Sequence, residues 1–169
     1  MNVALIGFMA AGKSTVGRIL ADKLGYRFVD TDEEIVRRMG LEIAEIFASE
    51  GETVFRALEK RVVAEASASE KTVIACGGGA VLDQGNVDAI RSTSRLVLLT
   101  ASVDEILSRV KGDGSRPLLN VGDIEKAVTV RLEERMPHYL KAADAIVDTS
   151  GLTLKEVADR VIQLLGAEA

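Results

Sequence analysis

The chain has 169 residues, of which 47% are hydrophobic and 28% charged, a globular composition of one domain's length rather than that of a disordered polymer. One cysteine and one histidine exclude an internal disulfide framework and any metal centre built from several thiolates or imidazoles. A net charge of −5, no tryptophan and 4% aromatic residues argue against nucleic acid as a partner.

No apolar run approaches the ~18 residues of a membrane span, and the N-terminus lacks a signal-peptide pattern, so a cytoplasmic protein without a membrane partner is expected. Short apolar segments at 3–7, 27–30, 72–75, 95–100 and 145–148 read as strands. They do not alternate apolar with polar residues, so burial on both faces is expected. Amphipathic stretches at 13–24, 32–39, about 43–69, 87–92, 103–110, 124–142 and 154–165 read as helices. The alternation predicts an α/β fold with a parallel sheet covered on both sides. Two stretches interrupt it. One is a helical insertion at about 31–70; the other, about 111–123, is rich in glycine and polar residues and reads as a lid. Pro137 is expected to bend or break the helix that contains it.

Ligands of open α/β sheets bind beyond the carboxyl ends of the strands, and the unusual residues cluster there. Gly7-Phe8-Met9-Ala10-Ala11-Gly12-Lys13-Ser14 follows the first strand and opens the first helix. This is the G-x-x-x-x-G-K-[ST] phosphate loop, whose backbone amides surround phosphate oxygens while the lysine adds a charge and the hydroxyl can ligate Mg²⁺. After the second strand, Asp30 and Asp32 put two carboxylates on one side of the chain. Asp32 suits either the N-cap of the next helix or a base for an acceptor hydroxyl, with the other carboxylate supporting the metal.

Arg56 precedes Glu59 by three residues. The pair is either a surface ion pair or a guanidinium oriented to grip a carboxylate. Gly77-Gly78-Gly79 follows the third strand and either makes a turn or lets a ligand approach bare backbone. Cys76 reads as a small buried residue. Arg116, in the second insertion, can reach a transferring phosphate; Arg135 is a second candidate carboxylate grip. Arg109, at the end of a helix, suits a helix-end cation or stacking on adenine. His138 has no relay partner in the sequence.

Taken together, GFMAAGKST, FVDTDEEI, FRALE, CGGGA, RPLL and RMPHY resemble the shikimate kinase family over about residues 3–165. The resemblance implies a three-layer P-loop kinase fold of the nucleoside-monophosphate-kinase type, with five parallel strands ordered 2-3-1-4-5. It implies one domain over 1–169, with the 31–70 insertion binding substrate and the lid at 111–123, and a monomer. The implied activity is transfer of the ATP γ-phosphate to the 3-hydroxyl of shikimate, in aromatic amino-acid biosynthesis. Carried over position by position, Ala10, Ala11, Gly12, Lys13, Ser14, Thr15, Arg109 and Arg116 would bind ATP. Ser14 and Asp30 would hold Mg²⁺. Asp32, Arg56, Gly78 and Arg135 would bind shikimate, and Lys13, Asp32 and Arg116 would act in catalysis. A related kinase for another hydroxy acid such as gluconate, or a non-catalytic ATP- or shikimate-binding relative, stands as the alternative.

Overall fold

The computed structural model describes residues 1–112 and 121–166. Five strands, β1 (Asn2–Ile6), β2 (Arg27–Asp30), β3 (Thr72–Ala75), β4 (Ser94–Thr100) and β5 (Ala145–Asp148), form one sheet ordered β2-β3-β1-β4-β5. Every pairing is parallel, with Val3 opposite both Val73 and Arg95. All carboxyl ends therefore lie along one edge, the expected α/β architecture and strand order.

The connecting helices are α1 (Lys13–Leu24), α2 (Thr31–Met39), α3 (Ile43–Ser67), α4 (Gln84–Arg91), α5 (Val103–Gly112), α6 (Val121–Ala142) and α7 (Leu154–Gly166). Side-chain alternation along the central strands divides the core in two. Val3, Leu5, Val97 and Leu99 pack with Val16 and Leu20 of α1 and Val157 and Val161 of α7. Ala4, Ile6, Leu96 and Leu98 face the opposite way, toward Val63 of α3, Ile90 of α4 and Tyr139 of α6. A third, smaller cluster of Ile35, Ile46, Phe55 and Val62 holds α2 against α3.

Three details depart from the sequence reading. Burial on both faces holds for β3 and the centre of the sheet, but β2 and β5 are its edges, and Ile146 is 52% exposed. The 43–69 stretch is not one uninterrupted helix, because Gly51 adopts non-helical φ 85° and ψ 168° inside α3. Such a positive φ strains any residue with a Cβ. Pro137 does not break α6, which runs through it. Proline withholds only its own amide from the ladder, and Tyr139, 1% exposed, anchors the following turn in the core.

Candidate active site

The phosphate loop is shaped by three residues at positive φ. Gly7 (φ 143°) turns the chain where a Cβ would sit 2.4 Å from the Leu99 carbonyl oxygen, so no side chain fits there. Gly12 (φ 92°) caps α1, and between them Ala10 holds φ 58° without being glycine. Such a conformation persists only where neighbours enforce it. The Arg109 guanidinium does so by donating to the Ala10 carbonyl at 2.8 Å. Arg109, read as a helix-end cation or an adenine contact, is thus also a brace for the loop. Lys13 Nζ donates to the carbonyls of Gly7 and Phe8, both at 2.8 Å. Burial lowers its pKa, while Asp32 and Asp30 oppose that shift by favouring the charged form.

Asp30 sits where β2 passes into α2 and uses both oxygens. Oδ1 accepts from the amides of Asp32 (3.0 Å) and Glu33 (3.1 Å), while Oδ2 accepts from the Ser14 hydroxyl. The N-cap of α2 is therefore Asp30 and not Asp32. A residue at the cap position has extended backbone and points its side chain at the amides two and three residues on. One position on, Asp32 is left to face the cleft. Its carboxyl is raised above the usual range by burial and then by the charge of Asp30, against the pull of Lys13 and Arg56.

The hydroxyl of Ser14 and the carboxylate of Asp30 are hard oxygen donors on adjoining elements, the kind of set that suits Mg²⁺. Among the described residues, no group of three or more His, Cys, Asp or Glu side chains could hold a metal. An ion that keeps its waters and takes further oxygens from phosphates needs no such group.

Across the cleft, Arg56 Nη1 donates to Glu59 Oε2 at 2.8 Å, and the Glu59 side chain is 1% exposed. This is no solvated surface pair. The guanidinium lies 5.3 Å from the Phe55 ring centre and close over the glycine triplet, where a Cβ on Gly79 would meet Nη1 at 2.5 Å. Gly77 gives the same room to carboxylates, since its Cβ would meet Asp32 Oδ1 at 2.6 Å and Glu59 Oε1 at 3.0 Å. The triplet is thus a bare floor against which both functional groups are pressed. Gly79→Ala, at an ordinary φ of −101°, should fold, with a Tm a few degrees lower because the displaced Arg56 pairs less well with buried Glu59. The displacement should also weaken carboxylate binding in the cleft about tenfold, as a titration would show.

A cleft of about 1070 Å³ joins these groups, and its lining includes Ala10, Lys13, Ser14, Asp30, Asp32, Arg56, Gly78 and Arg135. Ala11, Gly12 and Thr15 belong to the phosphate loop and the first turn of α1 rather than to that lining. Arg116, with the central part of the 111–123 insertion, lies outside the described residues. The sequence reading passed over Thr31, whose buried hydroxyl accepts the Gly77 amide at 2.9 Å and ties β2 to the triplet. It also passed over Arg131 and Glu134 in the cleft lining, where His138 lies too. The spacing of Arg131, Glu134, Arg135 and His138 on one helix, at steps of three and four, is the pattern that marks a shared face.

Cys76 is buried as expected, and burial pushes its thiol up to about 12 against the pull of Lys13. At pH 8 the thiol stays protonated and unreactive. A thiol-labelling time course should therefore show no native-state reaction until the chain unfolds.

The family model for shikimate kinase matches residues 9–166. The shikimate kinase of Thermodesulfovibrio yellowstonii is 43% identical over 162 residues, spanning 96% of this chain and 93% of that protein. The chain belongs to the shikimate kinase family. The enzyme of Moorella thermoacetica is likewise 43% identical, over 98% of this chain and 95% of its own. Among solved structures, a shikimate kinase from Acinetobacter baumannii in complex with shikimate superposes with a TM-score of 0.92 at 36% identity, covering 99% of this chain and 93% of that one. Family membership makes the chain an ATP-dependent kinase, a phosphotransferase of the P-loop type. No helix among the described residues is long and apolar enough to cross a membrane.

Proposed function

We propose that the cleft transfers the γ-phosphoryl group of ATP to the 3-hydroxyl of shikimate, with one end holding phosphates and the other the acceptor. The observation that supports this reading is one cleft whose lining brings Lys13 and Ser14 together with Asp32, Arg56 and Arg135. The amides of Ala10–Thr15 surround the phosphates, and Lys13 exchanges its two loop carbonyls for phosphate oxygens. Ser14 would hold Mg²⁺ with Asp30 in support, and the ion would supply neutralisation of the nucleotide's phosphate charge.

Arg56, oriented by Glu59, and Arg135 hold the acceptor carboxylate. Gly78 offers backbone where a side chain would obstruct the ring. Asp32 accepts the hydroxyl proton as the phosphoryl group transfers; a raised carboxyl pKa suits a base that must take up a proton. Arg116, carried by the 111–123 stretch, is assigned to the transferring phosphate, and Arg109 to the nucleotide side as well as the loop brace. The reading calls on no residue of a second copy, so a monomer is proposed, and a cytoplasmic location is proposed with it.

The test is ADP release with Mg-ATP and shikimate, gluconate, a nucleoside monophosphate or no acceptor. Stimulation by shikimate alone supports the assignment. Stimulation only by gluconate replaces the acceptor but keeps the carboxylate grip, stimulation only by the nucleotide overturns the Arg56 and Arg135 roles, and silence with all of them favours a non-catalytic relative.

A further inference from the structure

We infer that Tyr139 is a positioning residue for the acceptor, its hydroxyl linking Arg135 to the glycine triplet so that the guanidinium and the Gly78–Gly79 peptide are set together. The inference rests on the assignment of Arg135 to the acceptor carboxylate. Arg135 and Tyr139 are four residues apart on α6 and share a face. The Tyr139 hydroxyl donates to the Gly78 carbonyl, and a Cβ placed on Gly78 would lie 3.2 Å from Arg135 Nη1 and 3.7 Å from that hydroxyl, so guanidinium and hydroxyl meet over the same peptide. The tyrosine is 1% exposed and belongs to the cluster on that side of the sheet, so a phenylalanine would satisfy its packing equally well. The oxygen is what distinguishes the two residues, and both its partners belong to the proposed acceptor end.

Two consequences follow from this arrangement. The neighbouring positive charge of Arg135 polarises the hydroxyl and strengthens its bond to the carbonyl. A peptide unit is rigid, so fixing the Gly78 carbonyl also fixes the Gly79 amide on the strip of backbone beneath Arg56. Arg135 has a long, flexible stem; its other contact of note is the Phe8 ring, 5.9 Å away. A cationic side chain so held meets a carboxylate without first losing rotamer freedom, which is how preorganisation raises affinity.

Tyr139→Phe, Arg135→Ala and the double variant test this by steady-state kinetics and thermal melting. Tyr139→Phe is expected to raise the shikimate KM about tenfold, with the ATP KM within about twofold and kcat little changed. A merely structural loss would not divide the two substrates in that way. If Tyr139 acts through Arg135, the double variant should have nearly the shikimate KM of Arg135→Ala alone. An unchanged shikimate KM in Tyr139→Phe, or effects that multiply in full in the double variant, would overturn the inference. Should Arg135→Ala raise that KM while Tyr139→Phe leaves it alone, only the positioning role falls. Should Arg135→Ala itself have no effect, the Arg135 assignment falls with it.

Discussion

Arg56→Ala should raise the shikimate KM about 100-fold while leaving the ATP KM within about twofold. Hydrogen bonds to a charged group are worth about 1.5–3 kcal/mol each, and every 1.4 kcal/mol is tenfold in binding. The two-pronged grip of a guanidinium on a carboxylate is partly compensated by Arg135, so the loss falls near the top of the range for one such bond rather than at the sum of two. Lysine keeps the charge but not the planar fork, and Arg56→Lys should still lose about tenfold. Stability supplies a second readout. Glu59 is buried and already has a carboxyl raised by burial, with Arg56 opposing that shift through its hydrogen bond and charge. Removing Arg56 raises it further. A carboxyl whose folded pKa exceeds its unfolded value adds stability below the unfolded pKa and loses it as pH rises through the folded one. The Tm deficit of Arg56→Ala should therefore be larger at pH 8 than near the ordinary glutamate range of about 4.3. A uniform deficit across that span would show that Glu59 stays paired by other means.

Asp32→Asn should lower kcat by about 10²–10⁴, the usual contribution of a positioned base, with a far smaller change in either KM. Asparagine retains the shape and a hydrogen-bonding oxygen but cannot take the proton. The same substitution should leave the Tm unchanged or raise it by a few degrees. Burial and the neighbouring Asp30 both oppose ionisation of Asp32, and Lys13 and Arg56 only partly offset them. Its charge therefore works against the folded state at neutral pH, and neutralising it relieves that cost. Lys13 loses one favourable partner and keeps Asp30. Turnover near the parent rate would remove the base role, and a lower Tm would show that Asp32 serves the fold instead.

The parts of this site that could be read from sequence are those that one short segment makes alone. The phosphate loop needs its glycines at fixed spacing because the backbone must turn at Gly7 and Gly12, and that requirement is visible in eight residues. The Arg56 and Glu59 pair is similarly local, lying within one turn of α3. What could not be read depends on contacts between distant segments. Whether Asp30 or Asp32 caps α2 is decided by where β2 ends against β3, and Asp30 then also meets Ser14 from another element. The exposure of β2 and β5 follows from their place at the sheet edges, which composition does not encode. Proline in α6 looked like a terminator by propensity, yet the burial of Tyr139 carries the helix past it. The tyrosine's link to Gly78 joins residues 61 positions apart, and no periodicity announces it.

The central claim is that one cleft brings ATP and shikimate together for direct transfer. Phosphorus NMR of the protein with Mg-ATP and shikimate tests it most directly, because it follows ATP loss and identifies the product in one sample. The account predicts ADP and a sugar-like monophosphate ester at the 3-oxygen in equal amounts, with little inorganic phosphate. ADP accompanied by free phosphate, whether or not shikimate is present, would contradict it.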